Sequence, residues 1–282
     1  MENVIFTIAK KEIMDNIRNK WIILVSVIFA ILTLVVSYFG SYGQGWQNLG
    51  LTIAGMIALV EYLIPIIALM LGYGAITGEI ERGSMNSLLS LPVTRKEILI
   101  GKFLGLGIVL SLTVLVGFGV AAGIIALNVS NVNFGDYLIF IGASILIGLV
   151  FLSIALFLSS FFKKRSTAMG AAIFFWFFFA MIYSIILSGI LFTTVGLDQI
   201  LANTATIPDW YYGLELVNPL SAYSGLVSLN VGPVKTMASQ GVGGVTVQYP
   251  SFYTSWVMLV ILFVWIAAFL LLAFWRFNKR DI

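Results

Sequence analysis

Residues 173–187 read IFFWFFFAMIYSIIL, fifteen positions with no charge and no polar–apolar alternation. Backbone in hydrocarbon must pair every N–H and C=O internally, which only helices and closed barrels achieve. Barrel strands alternate polar and apolar side chains over about ten residues, so a run that is apolar throughout reads as a helix. A bilayer crossing takes roughly 20 helical residues. Runs long enough fall at about 21–39, 51–73, 104–127, 137–162, 168–195 and 255–275. The expected fold class is an all-α integral membrane protein with six transmembrane helices, multi-pass in the cell membrane.

Composition agrees. Of 282 residues, 60% are hydrophobic and only 10% are charged, and mean hydropathy is +1.06. A soluble domain carries about 25% charged residues. This chain therefore has too little charge to cover a water-facing surface, which excludes a cytosolic enzyme, a nucleic-acid binder and a disordered tail. The net charge of +3 and pI near 9.0 are what basic cytoplasmic loops produce.

The positions of the basic residues predict the topology. Lys10, Lys11, Arg18 and Lys20 precede the first span, and Arg82, Arg95, Lys96 and Lys102 separate the second from the third. Lys163, Lys164 and Arg165 join the fourth and fifth, while Arg276, Lys279 and Arg280 follow the sixth. Fourteen of the fifteen basic residues thus fall on one side, with Lys235 alone on the other. The positive-inside rule then puts both termini in the cytoplasm. Trp21, Trp256 and Trp275 stand at span ends, where an indole prefers the interface. The first twenty residues are too polar for a cleavable signal, and no small-residue cleavage site follows the first span.

Residues 2–20 predict an amphipathic helix along the cytoplasmic interface. Phe6, Ala9, Ile13 and Ile17 repeat at spacings of three and four, with Lys11, Asp15 and Arg18 opposite. An ordinary basic flank of the first span is the alternative.

The loop after the second span, GYGAITGEIERGSMNSLLSLPVTRKEILIGKFLG at 72–105, carries the densest pattern. Glu79, Glu81 and Arg82 end at Gly83. A short helix, SMNSLLS, stops before Pro92, which disfavours helix at Leu91. Thr94 and Glu97 form a capping box for the next helix. Arg95 and Lys96 in its first turn oppose the helix dipole, so a partner group or a lipid phosphate is expected to face them.

The connections on the other side differ. Residues 40–50 and 128–136 are short and almost uncharged; Asn128 begins a glycosylation sequon, a weak signal at three residues. Residues 196–254 hold Trp210, Tyr211 and Tyr212, an Asn218–Pro219 turn before the helical run SAYSGLVSL, and a glycine-rich stretch at 241–244. Short interfacial helices plus a flexible lobe are expected there.

Within the spans, Glu61 is the single deep ionisable residue. A charge at the bilayer centre costs about 2.5–3.5 kcal/mol on insertion scales, so it faces a bundle interior or a cavity. Two readings stay open. One is a carboxylate on a substrate pathway or subunit interface, beside a backbone notch made by Pro65. The other is a protonated acid hydrogen-bonded to Ser or Tyr, or one lying shallower than the register suggests. Gly101/Gly105 and Gly119/Gly123 allow close helix approach, more readily within one chain than at a dimer seam. Met56, Met70, Met181 and Met258 lack the clustering of a soft-metal site and read as core gap-fillers.

Chemistry is sparse. The chain has no Cys and no His, which removes thiol chemistry and the commonest general base and metal ligand. No catalytic motif occurs, and no residue set marks a metal or cofactor site. There is also no G-x-x-x-x-G-K-[ST] phosphate loop; Gly101–Lys102 lacks both the preceding glycine and a following Ser or Thr.

The residues do carry a likeness. Lys11–Glu12 in an amphipathic N-terminal helix and E-x-E-x-G…L-L-x-L-P-V-x-R-x-x-I-x-x-G-K-F over 79–103, with the Asn218–Pro219 turn before the last span, resemble the ABC-2 type permeases. Within that group the chain looks most like the NosY-like permeases associated with maturation of multicopper enzymes such as nitrous oxide reductase. The resemblance implies one permease domain over 1–282, half of a homo- or heterodimeric membrane domain of an exporter. A separate ATPase subunit would bind ATP and Mg, and a periplasmic or extracellular partner is a further expectation. It also implies that 75–103 is a coupling loop docking on that ATPase. Glu79, Glu81, Arg82 and Arg95 would supply charge, Gly83 and Pro92 breaks, and Leu88, Leu89 and Leu91 an apolar contact. A solvated loop whose charges only enforce topology is the plainer reading. Lys163, Lys164 and Arg165 are a second candidate contact, although topology alone explains them. The rival function is a non-transporting membrane protein, structural or immunity-type, with no ATPase partner.

Overall fold

A computed structural model describes residues 4–18, 20–39, 49–128, 134–196, 207–232, 234 and 249–280. Lys235, the stretch 241–244 and the sequon's Val129 and Ser130 lie outside the described residues, as does the Trp21 side chain. The described residues form helices and no strands. In order they are α1 (Val4–Ile17), α2 (Lys20–Phe39), α3 (Leu49–Gly72), α4 (Thr77–Glu81), α5 (Ser84–Leu89), α6 (Arg95–Asn128) and α7 (Phe134–Phe161). Then follow α8 (Arg165–Phe177), a π-turn (Phe178–Ile182), α9 (Tyr183–Val195), α10 (Asp209–Glu215), α11 (Pro219–Asn230) and α12 (Ser255–Asn278).

Among the described residues, five helical stretches are long and apolar enough to cross a membrane: Ile53–Glu81, Arg95–Gly123, Phe134–Phe161, Arg165–Val195 and Ser255–Asn278. The remaining expected run, 21–39, forms the 20-residue helix α2, within which Val27–Val36 is a shorter apolar stretch. This is a multi-pass membrane protein.

α7 is the centre of the bundle. It packs on α12, α3, α6 and α11, and side chains on every face of it are buried, including Phe140, Ile147, Phe151, Ile154 and Leu158. Aromatic rings join the spans at its side: Phe175 and Phe179 meet Phe269 and Trp265 edge-on at 5.6 and 5.3 Å, and Phe157 meets Phe269 at 5.4 Å. Such pairs add about 0.5–1.5 kcal/mol each beyond area burial.

Two elements differ from the sequence expectation. The helix expected to start at Thr94 and the third span are one 34-residue helix, α6. At 1.5 Å per residue it is about 51 Å long, so it overshoots a hydrocarbon layer of roughly 30 Å and carries its charged first turns outside. α1 is helical as expected, but Ile8, Ala9 and Glu12 are its buried residues, while Phe6 and Ile17 are exposed at 65% and 51%. The stripe turns because of what α1 packs on. A Cβ on Gly101 would lie 2.7 Å from the Ile8 Cβ, and one on Gly105 would lie 2.7 Å from the Ala9 carbonyl. The small-x-x-x-small pattern is therefore the seat of α1 within one chain. Gly119 and Gly123 face open space.

Candidate functional site

The bundle end that carries α1, α4, α5 and the last turn of α12, called here the basic end, is bound together by side chains. α4 begins where α3 stops. Its first N–H groups would be unpaired, and a neighbouring helix supplies the acceptor: Ile76 N–H and Thr77 N–H donate to Ser159 Oγ of α7 at 2.9 and 3.1 Å. Thr77 Oγ1 donates to the Tyr73 carbonyl, so the Ser159 hydroxyl is left to donate to Thr77 Oγ1 at 3.2 Å. This fixes the direction in which Glu79 points.

Glu79 points inward. Its residue exposure is 7% and that of Lys102 is 1%. Lys102 Nζ lies 2.9 Å from Glu79 Oε1 and 2.6 Å from Glu12 Oε1. Lys11 Nζ reaches the same Glu79 oxygen at 3.2 Å. Two ammonium and two carboxylate groups from α1, α4 and α6 thus make a neutral quartet. An unpaired buried charge costs several kcal/mol, so Glu12, Glu79 and Lys102 depend on one another, while Lys11 joins them from the exposed side. Desolvation works against the Lys11 ammonium, but the facing Glu79 carboxylate outweighs it and holds the Lys11 pKa above 10.5.

Glu81 and Arg82 face the other way and are exposed. Glu81 Oε1 accepts from Arg165 N–H at 2.7 Å. The Arg165 guanidinium donates to the Tyr73 hydroxyl at 3.0 Å and lies over its ring at 5.1 Å. The basic turn between α7 and α8 is thereby fastened to the α4 loop. Gly83 sits at φ 74° between α4 and α5, a left-handed conformation that other residues adopt only with strain. Leu88 and Leu89 pack against the core, whereas Leu91 is 55% exposed. Pro92, Lys96, Lys163 and Lys164 are also exposed. Thr94 and Glu97 form the expected capping box, with Thr94 N–H donating to Glu97 Oε2 at 2.8 Å and Glu97 N–H to Thr94 Oγ1 at 3.2 Å.

Arg95 is engaged within the chain. Its Nη1 donates to the carbonyls of Phe277, Asn278 (3.1 Å) and Arg280 (2.8 Å), and its guanidinium lies over the Phe277 ring at 5.5 Å. The expected partner of this misplaced charge is thus the carbonyl end of α12, where a cation is favoured. Arg280 completes the tie by donating to the Ser159 and Ser160 carbonyls at 3.1 and 3.2 Å.

The roles of Glu12, Lys102, Ser159 and Arg280 do not show in the sequence motifs. Lys102 could have been found: an ammonium inside an otherwise apolar stretch needs a buried counter-charge, and only a few acids are near enough in the topology.

At the opposite end, α10 and α11 form a re-entrant hairpin. The C-terminal end of α11 is held beside the starts of α7 and α12, with Gly232 N–H donating to Asp136 Oδ2 at 3.0 Å and Asn230 Nδ2 to Ser255 Oγ at 2.7 Å. Its 12 residues span about 18 Å, so Asn218 at its start lies well inside the bundle. Asn218 is 1% exposed and donates to the Phe179 carbonyl in the π-turn at 2.9 Å. Glu61 of α3 is half-buried and stands near Ser224 of α11; the neighbouring Tyr223 hydroxyl lies 3.3 Å from Ser144 Oγ of α7. The expected interfacial helices are present but dip inward, because Pro219 and Asn218 turn the chain back.

Among the described residues no three His, Cys, Asp or Glu converge as a metal site. The arrangement is a charged junction at one end, a polar hairpin contact at the other, and apolar helices between them.

A family model for ABC-2 family transporter proteins matches residues 6–282. The chain belongs to the ABC-2 transporter family. It is 36% identical over 287 residues to a "Probable ABC transporter permease protein NosY" of Pseudomonas aeruginosa, covering 99% of both chains. It is 35% identical over 288 residues to a protein of the same description from Stutzerimonas stutzeri, again over 99% of both. As an ABC-2 permease it is a membrane subunit of an ABC transporter and not itself an enzyme, and the family implies an ABC ATPase as partner.

Proposed function

We propose that this ABC-2 permease is the path-forming subunit of an ATP-driven exporter, with six spans, both termini in the cytoplasm, and a second permease beside it. The basic end is then the cytoplasmic end, in keeping with fourteen basic residues gathered there. A separate ATPase docks on the outward rim of the α4–α5 loop, where Arg82, Gly83, Leu91 and Pro92 are exposed. The quartet of Lys11, Glu12, Glu79 and Lys102 is the observation that carries this reading. A push on α4 cannot be absorbed locally, because Glu79 binds α4 to both α1 and α6. Glu81 and Arg165 pass the same push to α8.

Glu61 is proposed as the pathway carboxylate. It stands near Ser224 of the re-entrant hairpin, so spans that move relative to that hairpin change its surroundings. The similarity to NosY permeases makes a transporter serving metalloenzyme maturation the favoured setting.

The test is ATP hydrolysis by the ATPase reconstituted with the permease in vesicles. Arg82→Glu combined with Leu91→Asp alters the exposed rim only. Stimulated hydrolysis should fall at least tenfold while membrane insertion and thermal stability stay as in the parent. Full stimulation in that variant would remove the docking assignment.

A further inference from the structure

On one flank of α1 an apolar groove of about 360 Å³ runs between α1 and the third and fourth turns of α6. Phe6 and Ile13 form one wall and Leu104 and Ile108 the other. Phe6, Leu104 and Ile108 are all at least 45% exposed, so the groove opens sideways, toward the surroundings of a membrane helix. Lys10 is the one charged residue that lines it. It stands four residues after Phe6 and three before Ile13, which places it on the same flank of the helix.

Lys10 differs from its neighbours in pairing. Lys11 and Lys102 both meet carboxylates, whereas Lys10 meets none among the described residues. The structure thus offers an apolar slot along which runs a cation with no carboxylate partner among the described residues, at the depth where an interfacial helix meets a span. We propose that this groove holds an acyl chain of an anionic phospholipid, with the Lys10 ammonium on its phosphate. The charge fits: a basic residue at a membrane surface attracts anionic lipid, and a lysine stem covers apolar surface while its head stays wet. A second copy of the chain fits poorly. An isologous contact through this flank would set Lys10 against Lys10. A bound lipid would also brace α1 on the side opposite the salt-bridged quartet.

The experiment uses the full chain purified in mild detergent. Dioleoyl-phosphatidylglycerol or dioleoyl-phosphatidylcholine is added, and retained adducts are counted by native mass spectrometry. The parent should retain phosphatidylglycerol about fivefold better than phosphatidylcholine, the ratio a single surface cation contributes. Lys10→Gln should abolish that preference while still retaining some of both lipids. Leu104→Trp, which fills the slot from its exposed side, should lose both adducts at least fivefold, with helicity by circular dichroism unchanged. An undiminished phosphatidylglycerol preference in Lys10→Gln would overturn the proposal, as would full retention in Leu104→Trp. So would efficient disulfide dimerisation of Leu104→Cys in membranes, which would give the groove to a second copy.

Discussion

The Asn218 side chain serves two helices at once: its amide donates to the Phe179 carbonyl at 2.9 Å, and its oxygen accepts from Leu220 N–H at 3.0 Å. The first bond reaches a π-turn, where the regular i→i+4 ladder is offset and a carbonyl is open to a side-chain donor. The second is the N-cap of α11. One buried residue therefore ends the inward run of the hairpin, starts its return, and fixes both to the span Arg165–Val195.

Replacing Asn218 tests the two bonds separately. Asn218→Asp keeps the capping oxygen and loses the amide donor, leaving the Phe179 carbonyl unpaired. Asn218→Ala loses both. Thermal unfolding in detergent should show a loss of about 1–3 kcal/mol for the Ala variant, the sum expected for a cap and a buried hydrogen bond. The Ala variant should also expose the hairpin to added protease.

Lys102→Met leaves Glu12 and Glu79 facing each other in a buried site without their shared ammonium. The expected cost is about 3–5 kcal/mol. Adding Glu12→Gln removes the one carboxylate left without a cation, since Lys11 still pairs Glu79, and the double variant should recover most of the loss. A double variant no better than Lys102→Met would show that packing, not charge, sets the penalty.

Gly105→Val places a side chain against the Ala9 carbonyl and Glu12 Cβ, where a Cβ alone would sit at 2.7 Å. α1 should lift from α6, and trypsin should cut more readily at Lys10 and Lys11 in proteoliposomes. Gly119→Val has nothing within 4 Å of the new Cβ and should leave the cleavage rate at the parental value.

Arg95→Ala removes the cation from the carbonyl end of α12. Its last turn should fray, seen as faster amide exchange over residues 275–280 with the middle of α12 unchanged. Arg95→Lys should rescue only part of this, since one ammonium cannot match a flat guanidinium stacked on Phe277 while donating to several carbonyls.

Lys11 gives a pH dependence whose sign is fixed. Its pKa lies above the ordinary 10.5 because of Glu79, so its contribution is fully present below pH 10.5 and lost as pH rises through the elevated value. The chain has no cysteine, so a spin label on Thr7→Cys reports α1 alone. Label mobility should rise above pH 10.5 in the parent. With Lys11→Gln that alkaline step should be absent.

Much of this was legible in the sequence because membrane helices are written in runs. The apolar stretches located α3, α7 and α12 to within a few residues. Thr94 and Glu97 announced the start of α6 through local hydrogen-bond chemistry. What stayed hidden was pairing across distance. Glu79 read as a surface charge because nothing near it in sequence reveals Lys102. Arg95 read as a charge awaiting an outside partner because α12 ends 183 residues later in the chain. The inward dip of α11 was equally invisible: a helical run of twelve residues has the same pattern whether it lies on a membrane or enters one.

The seat of α1 has a consequence in time. Glu12 and Lys102 are 90 residues apart, and Gly101 and Gly105 flank that lysine. At about 5–20 residues per second of synthesis, α1 emerges roughly 5–18 s before the surface it will rest on exists. Through that interval α2 and α3 are made while α1, carrying Glu12, waits undocked. Its exposed Phe6 and Ile17 give it a provisional mooring on lipid, so the side chains that look surplus in the finished bundle are those that hold the helix until its berth is built.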